Sequence, residues 1–221
     1  MTTEIVETTT MAASTKISPI AQDIAQDLLT IDAIQLNTKN LFTWVSGIKS
    51  PVYCDNRLIN SDVKVRTHVI KAFIELIKDK FPDVEKITGI VTGGLPFGSI
   101  IADKLELPFI YVRQERKEHG LKKQIEGIYH PGDKVVVIED HISTGKSSIN
   151  AINVLKEEGL NILGLVSVMT YDFKIATELF DKEHITHYSL CNLDVILDVA
   201  VSNHKISMQD KDFILDFRNN F

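Results

Sequence analysis

Cysteine is scarce: Cys54 and Cys191 are the two thiols in 221 residues, too far apart for a disulfide framework or a paired-ligand zinc site. A reducing compartment is the simpler inference. Positive charge is in deficit too, with 24 Lys plus Arg against 30 Asp plus Glu and a formal net charge of -6. That argues against a general nucleic-acid binder, which carries a strongly basic footprint. Charged or polar residues interrupt every apolar run before it reaches the length of a membrane span. The opening stretch, "MTTEIVETTTMAASTK", has neither the basic start nor the apolar block of a signal peptide. The expectation is a soluble, cytoplasmic protein with no nucleic-acid or membrane partner.

What is present is ordinary for a globular chain: 44% hydrophobic and 24% charged residues, enough for a sizeable core. Residues 1–17 read as a disordered or weakly ordered extension, and 18–221 as a single domain. Ile20, Ile24, Leu28, Ile31 and Ile34 recur at helical spacing, predicting a helix from Ser18 to about Asn37. "LFTWVSGIKSPVYCDNR" then reads as a β-hairpin or two short strands. Helical periodicity returns over 62–80.

From there, apolar runs alternate with amphipathic stretches. "ITGIVT", "PFIYVR", "KVVVIED" and "ILGLVSVMTY" read as strands; "FGSIIADKLEL" and "GKSSINAINVLKEEG" read as helices, with more helix over 173–182 and 207–219. The pattern predicts an α/β fold, a parallel sheet with helices on both faces. Ligands of such sheets bind beyond the carboxyl ends of the strands. That selects "TGGLP", the long polar loop after Arg113, "EDHISTGKS", and the region around Thr170–Phe173.

"VVVIEDHISTGKSS", residues 135–148, allows two phosphate-binding readings. "GKSS" is the tail of a P-loop, but the P-loop's first Gly would fall at Asp140, whose carboxylate would face a triphosphate. The other reading uses every position. A buried strand places Glu139 and Asp140 where they can accept hydrogen bonds from the vicinal hydroxyls of a ribose. Ser143, Thr144, Gly145, Lys146 and Ser147 follow as hydroxyls and backbone N–H groups at a helix N-terminus, an anion site suited to a monophosphate. Capping of the helix alone would need one such residue, not the series.

This string resembles the phosphoribosyl-pyrophosphate (PRPP) motif of type I phosphoribosyltransferases. The resemblance implies that family's sheet core with a small N-terminal hood, here residues 18–60. It also implies PRPP contacts across Glu139, Asp140, His141, Ile142, Ser143, Thr144, Gly145, Lys146 and Ser147. Lys146 departs from the family, which often has a small residue there. It could add charge for the phosphate or point outward.

The order "SGIKSPVYCDNR", "TGGLPFG", "RQERKEHG", "VVVIEDHISTGKS" is similar to the orotate phosphoribosyltransferases, from about Asn40 to Tyr171. The resemblance implies transfer of phosphoribosyl from PRPP to N1 of orotate. It makes Arg113, Lys117 and His119 the catalytic-loop residues, with Mg²⁺ bound mainly through PRPP and water. It further implies a homodimer whose basic loop reaches the neighbouring site. Thr92, Gly93 and Gly94 would offer groups to pyrophosphate, and Ser143 would also touch orotate. Gln114, Val45 and Thr92 stand where other members carry Lys, and "MTYDF" lacks the Arg with which one branch holds orotate. Lys49, Tyr53 and Arg57 are therefore the expected base contacts. A purine-base phosphoribosyltransferase or a PRPP-sensing regulator is the alternative. The hairpin disfavours the first; the basic loop and acidic total disfavour the second.

Overall fold

The computed structural model describes residues 19–44, 46–114 and 124–221. Residues 1–18, Val45 and 115–123 lie outside it, and with them the expected extension, the Ser18 cap, Lys117 and His119.

Helix α1 (Pro19–Thr30) is followed by β1 (Ile34–Leu36), β2 (Phe42–Thr43), β3 (Lys49–Ser50) and β4 (Val52–Cys54). A 3₁₀ turn (Asn56–Ser61) leads into α2 (Val63–Lys80). The α/β part then runs β5 (Lys86–Ile90), α3 (Gly94–Leu105), β6 (Phe109–Val112), β7 (Ile125–Glu126), β8 (Lys134–Ile142), α4 (Lys146–Glu157), β9 (Asn161–Thr170) and α5 (Lys174–Lys182). It closes with β10 (His187–Asn192), α6 (Leu193–Ser202) and α7 (Met208–Asn219).

Six strands form one sheet in the order β10-β9-β8-β5-β6-β7. All neighbours are parallel except β6 and β7. Along β8, Val136 and Ile138 enter one apolar cluster while Val135 and Val137 enter another on the opposite face. Period-two alternation with both faces buried explains why this strand reads as an unbroken apolar run. Phe97 and Ile101 of α3 belong to the first cluster, Ile149 and Ile152 of α4 to the second.

β1 pairs with β4 and β2 with β3, both antiparallel, which makes the expected hood. Ile34, Val52 and Ile59 of the hood share a core cluster with the sheet. An aromatic group locks the hairpin down: Trp44 lies 5.4 Å from Tyr171 and 6.1 Å from Phe173 by ring centroids. Phe221 stacks on Phe173 at 4.8 Å.

Four elements differ from the sequence reading. Helix α1 stops at Thr30, because Asp32 turns into the left-handed region (φ +57°) and Ile34 becomes a strand residue. Beyond the polar stretch, Ile125–Glu126 forms β7, antiparallel to β6. β10 and α6 were missed altogether. His187 of β10 stacks on Phe180 at 4.3 Å, which gives this histidine a packing role.

Candidate active site

The sheet order places a topological switch point between β5 and β8. The β5–α3–β6 crossover leads one way along the sheet and β8–α4–β9 leads the other. The crevice at the carboxyl ends of these two strands is the binding position of open α/β sheets. "TGGLP" follows β5 there, and "EDHISTGKS" ends β8.

The two segments are in close contact. A Cβ added to Gly94 would lie 2.1 Å from the Ile138 carbonyl oxygen, and one added to Gly93 would lie 2.3 Å from the Asp140 carboxyl carbon. Only glycine lets the backbone approach this closely. Thr92 is exposed at the mouth of the turn.

Strand β8 runs past the two acids to Ile142, pairing His141 with Met169 and Ile142 with Thr170. Ile142 itself is core, 1% exposed, so only its backbone faces function, and its carbonyl accepts from Tyr171 N at 2.9 Å. The acids differ in environment. Burial, then the neighbouring Asp140 charge, pushes Glu139 well above the usual carboxylate range. Burial also acts to raise Asp140, but His141 outweighs it. The imidazole Nδ1 lies 3.1 Å from Oδ2 and holds Asp140 down at about 2. That pair is an ion contact. For His141, burial works downward and the Asp140 charge prevails, so its pKa is raised. Asp140 is the ionised hydrogen-bond acceptor of the two.

Gly145 (φ +73°) reverses the chain into α4, and no side chain caps that helix. Its first-turn N–H groups therefore remain for an anion. Ser143 and Thr144 are half-buried beside it, while Lys146 and Ser147 are exposed on the first turn.

The expected base contacts lie in the hood. Tyr53 on β4 packs on Phe42 at 5.6 Å. Arg57 sits in the 3₁₀ turn, its guanidinium paired with Asp55 at 2.6 and 2.7 Å and within the electrostatic reach of Tyr53 and Asp140. Lys49 Nζ donates to Thr43 Oγ1 at 2.5 Å. Arg113 forms an ion pair with Glu126 at 3.1 Å and lines a groove with Asn150 and Val154 of α4. Among the described residues, no hydrogen bond or ion pair joins Lys49 or Arg113 to Glu139 or Asp140. Cys54 and Cys191 do not meet as a bridge, and burial raises both thiols. No group of three or more His, Cys, Asp or Glu that could hold a metal ion occurs among the described residues.

One residue absent from the sequence reading reaches the site. Asn56, fully buried, donates from Nδ2 to the Asp140 carbonyl at 2.8 Å. Its position in "YCDNR" carries no local signal of a partner so distant in the chain.

The family profile described as phosphoribosyl transferase domain matches residues 61–207. The orotate phosphoribosyltransferase of Staphylococcus epidermidis is 45% identical over 201 residues, covering 91% of this chain and 99% of the relative. The chain belongs to the orotate phosphoribosyltransferase family. A solved orotate phosphoribosyltransferase from Aeropyrum pernix superposes with a TM-score of 0.70 at 30% identity, over 79% of this chain and 96% of that one. A UMP synthase structure from Leishmania donovani gives a TM-score of 0.77 at 25% identity; the match covers 91% of this chain and 42% of that longer one. Membership in the orotate phosphoribosyltransferases, and not merely in the wider sugar-phosphate group, favours the pyrimidine reading over a purine-base enzyme.

Proposed function

We propose that residues 18–221 act as one domain that transfers phosphoribosyl from PRPP to N1 of orotate, yielding orotidine 5'-monophosphate and pyrophosphate. The observation that carries this is the meeting, at the β5/β8 switch point, of Gly93–Gly94, the Glu139–Asp140 pair and the uncapped start of α4, with the hood bonded to Asp140. The protein acts in the cytoplasm, in the pyrimidine branch of nucleotide synthesis.

In this reading Asp140 and Glu139 take the ribose hydroxyls, and the α4 N-terminus with Ser143, Thr144 and Ser147 takes the 5-phosphate. Thr92, Gly93 and Gly94 border the pyrophosphate. Tyr53 and Arg57, with Lys49 and Ser143, border orotate. The bond to pyrophosphate breaks early and leaves oxocarbenium character on the ribose. Positioning and charge then do the catalysis, and no protein nucleophile is needed.

The chemistry of the site fits Mg²⁺. Asp140 is an ionised hard-oxygen group at the crevice, suited to the waters of a magnesium ion held mainly by PRPP. An ion held there would supply charge neutralisation for the departing pyrophosphate. Arg113, Lys117 and His119 supply the remaining positive charge. Arg113 lines a groove with Asn150 and Val154 of α4 and pairs with Glu126, and in this reading the basic loop that follows it serves the neighbouring site of a homodimer.

The test is loss of orotate absorbance on mixing the protein, PRPP and Mg²⁺, beside a Lys117→Ala variant. The expected result is loss that needs all three components and falls about 10²- to 10³-fold in the variant. PRPP binding by calorimetry without orotate consumption would overturn the base assignment and turn attention to purine bases, then to a PRPP-sensing regulator.

A further inference from the structure

We infer that Asn56 is a positioning residue that sets Asp140, and through it the ribose, in register with the hood. The inference rests on the reading of Asp140 as a ribose-binding group. Asn56 opens the 3₁₀ turn between β4 and α2, a turn capped by Asp55, whose Oδ1 accepts from Arg57 N. From there it reaches a strand that lies beyond α2, β5, α3, β6 and β7 in the chain. β8 pairs with β5 only as far as Ile138. Asp140 projects beyond that ladder, and its carbonyl takes the Asn56 amide in place of a strand partner.

The side chain of Asp140 is held from two other directions. His141 Nδ1 lies 3.1 Å from Oδ2, and Gly93 leaves no room for a Cβ on the other flank. Hood, strand neighbour and pyrophosphate turn thus converge on one residue, the hood on its backbone carbonyl and the other two on its carboxylate. Asn56 supplies the only hydrogen bond from the hood to Asp140 among the described residues.

The Asn56 Oδ1 is buried and has no hydrogen-bond partner among the described residues. A buried amide with an acceptor unspent works against folding, whereas its donor satisfies the Asp140 carbonyl, so the worth of the asparagine lies in that one bond. The polar residue is explained by what its Nδ2 holds. Tyr53 and Arg57, the hood's candidate base contacts, flank Asn56 in the chain. The single bond therefore ties the base site to the sugar site, so that N1 of orotate and C1 of PRPP are held in a fixed relation.

The test uses the full chain with Mg²⁺ and reads PRPP binding by calorimetry together with the urea unfolding midpoint. Asn56→Leu keeps the volume, adds no charge and removes the donor; Asn56→Ala removes the donor by a second route. Ile59→Val trims the core in the same turn and leaves the bond in place. The expected result is PRPP binding about tenfold weaker in both Asn56 variants, equivalent to about 1.4 kcal/mol. Ile59→Val should bind PRPP as the parent does, whatever its midpoint. Equal PRPP binding in the parent and Asn56→Leu would overturn the inference. So would weakening that tracks the unfolding midpoint across all three variants. A parent that binds PRPP yet leaves orotate unconsumed would count against the proposed reaction, and the comparison of PRPP binding would still decide the role of Asn56.

Discussion

Replacing Gly93 with alanine should separate function from stability. The Gly93 backbone is right-handed (φ −65°, ψ −44°), so alanine fits it without strain. Such a Gly→Ala change gains about 0.4–1 kcal/mol by narrowing the unfolded ensemble. The new Cβ, however, would sit 2.3 Å from Asp140 Cγ and 2.5 Å from each carboxylate oxygen, where ordinary contact begins at 3.4 Å. The carboxylate must retreat by about 1 Å, and an off-rotamer side chain costs about 0.5–1.5 kcal/mol. The two contributions nearly cancel, leaving net stability within about 1 kcal/mol of the parent. Binding has no such compensation. A hydrogen bond to a charged group is worth about 1.5–3 kcal/mol, so PRPP affinity should fall about 10- to 150-fold.

Gly94→Ala is the contrast. Its Cβ meets the Ile138 carbonyl at 2.1 Å, and that backbone is bonded between β5 and β9 and cannot yield. Overpacking there should cost about 3 kcal/mol or more of folding stability. Urea unfolding and PRPP calorimetry on both variants measure the pair of effects. A Gly93→Ala protein that is as stable as the parent and binds PRPP equally well would refute the placement of Asp140 against the ribose.

Two pH effects follow from other groups. With His141→Leu, Asp140 loses the cation that holds it at about 2 and its pKa rises. PRPP binding, which needs the ionised carboxylate, should then fail at a higher pH on acidification than in the parent; an unchanged acid limb in calorimetry would count against this. Asp210, in the capping box of α7, is lowered to about 2 by the Ser207 hydroxyl, then by Thr38 and the Ser207 backbone. Its contribution is present above the ordinary value of 3.8 and is lost as pH falls through about 2. Asp210→Asn should therefore lower the melting temperature at about pH 5, and the difference from the parent should shrink as the pH falls toward and below about 2.

The parallel sheet was legible because its central strands are buried on both faces. "KVVVIED" and "ILGLVSVMTY" have no other stable place than between helices. The hood hairpin was legible from its turn and β-branched residues. β10 was not, for a specific reason. It is an edge strand with half-exposed His187, Tyr188 and Ser189, and no turn residue parts it from α6. Asn192 ends the strand and caps the helix at once, its side chain accepting from Val195 N at 3.0 Å. The two-residue β7 exists only through its pairing with β6. At the site, the acids, the phosphate loop and the glycine turn were readable because each is a local run of residues. The Asn56 bond joins positions far apart in the chain, and only folding brings them together.

The placement of Trp44 has a practical consequence. It is the single tryptophan of the chain, and it stands in the hood hairpin against Tyr171 and Phe173 at the end of β9. Its indole Nε1 donates to the Val52 carbonyl at 3.0 Å, which fixes the ring to the hood. The emission of this one fluorophore therefore reports the seating of the hood on the sheet. The protein carries its own optical gauge of that contact, readable during substrate titration without any attached label.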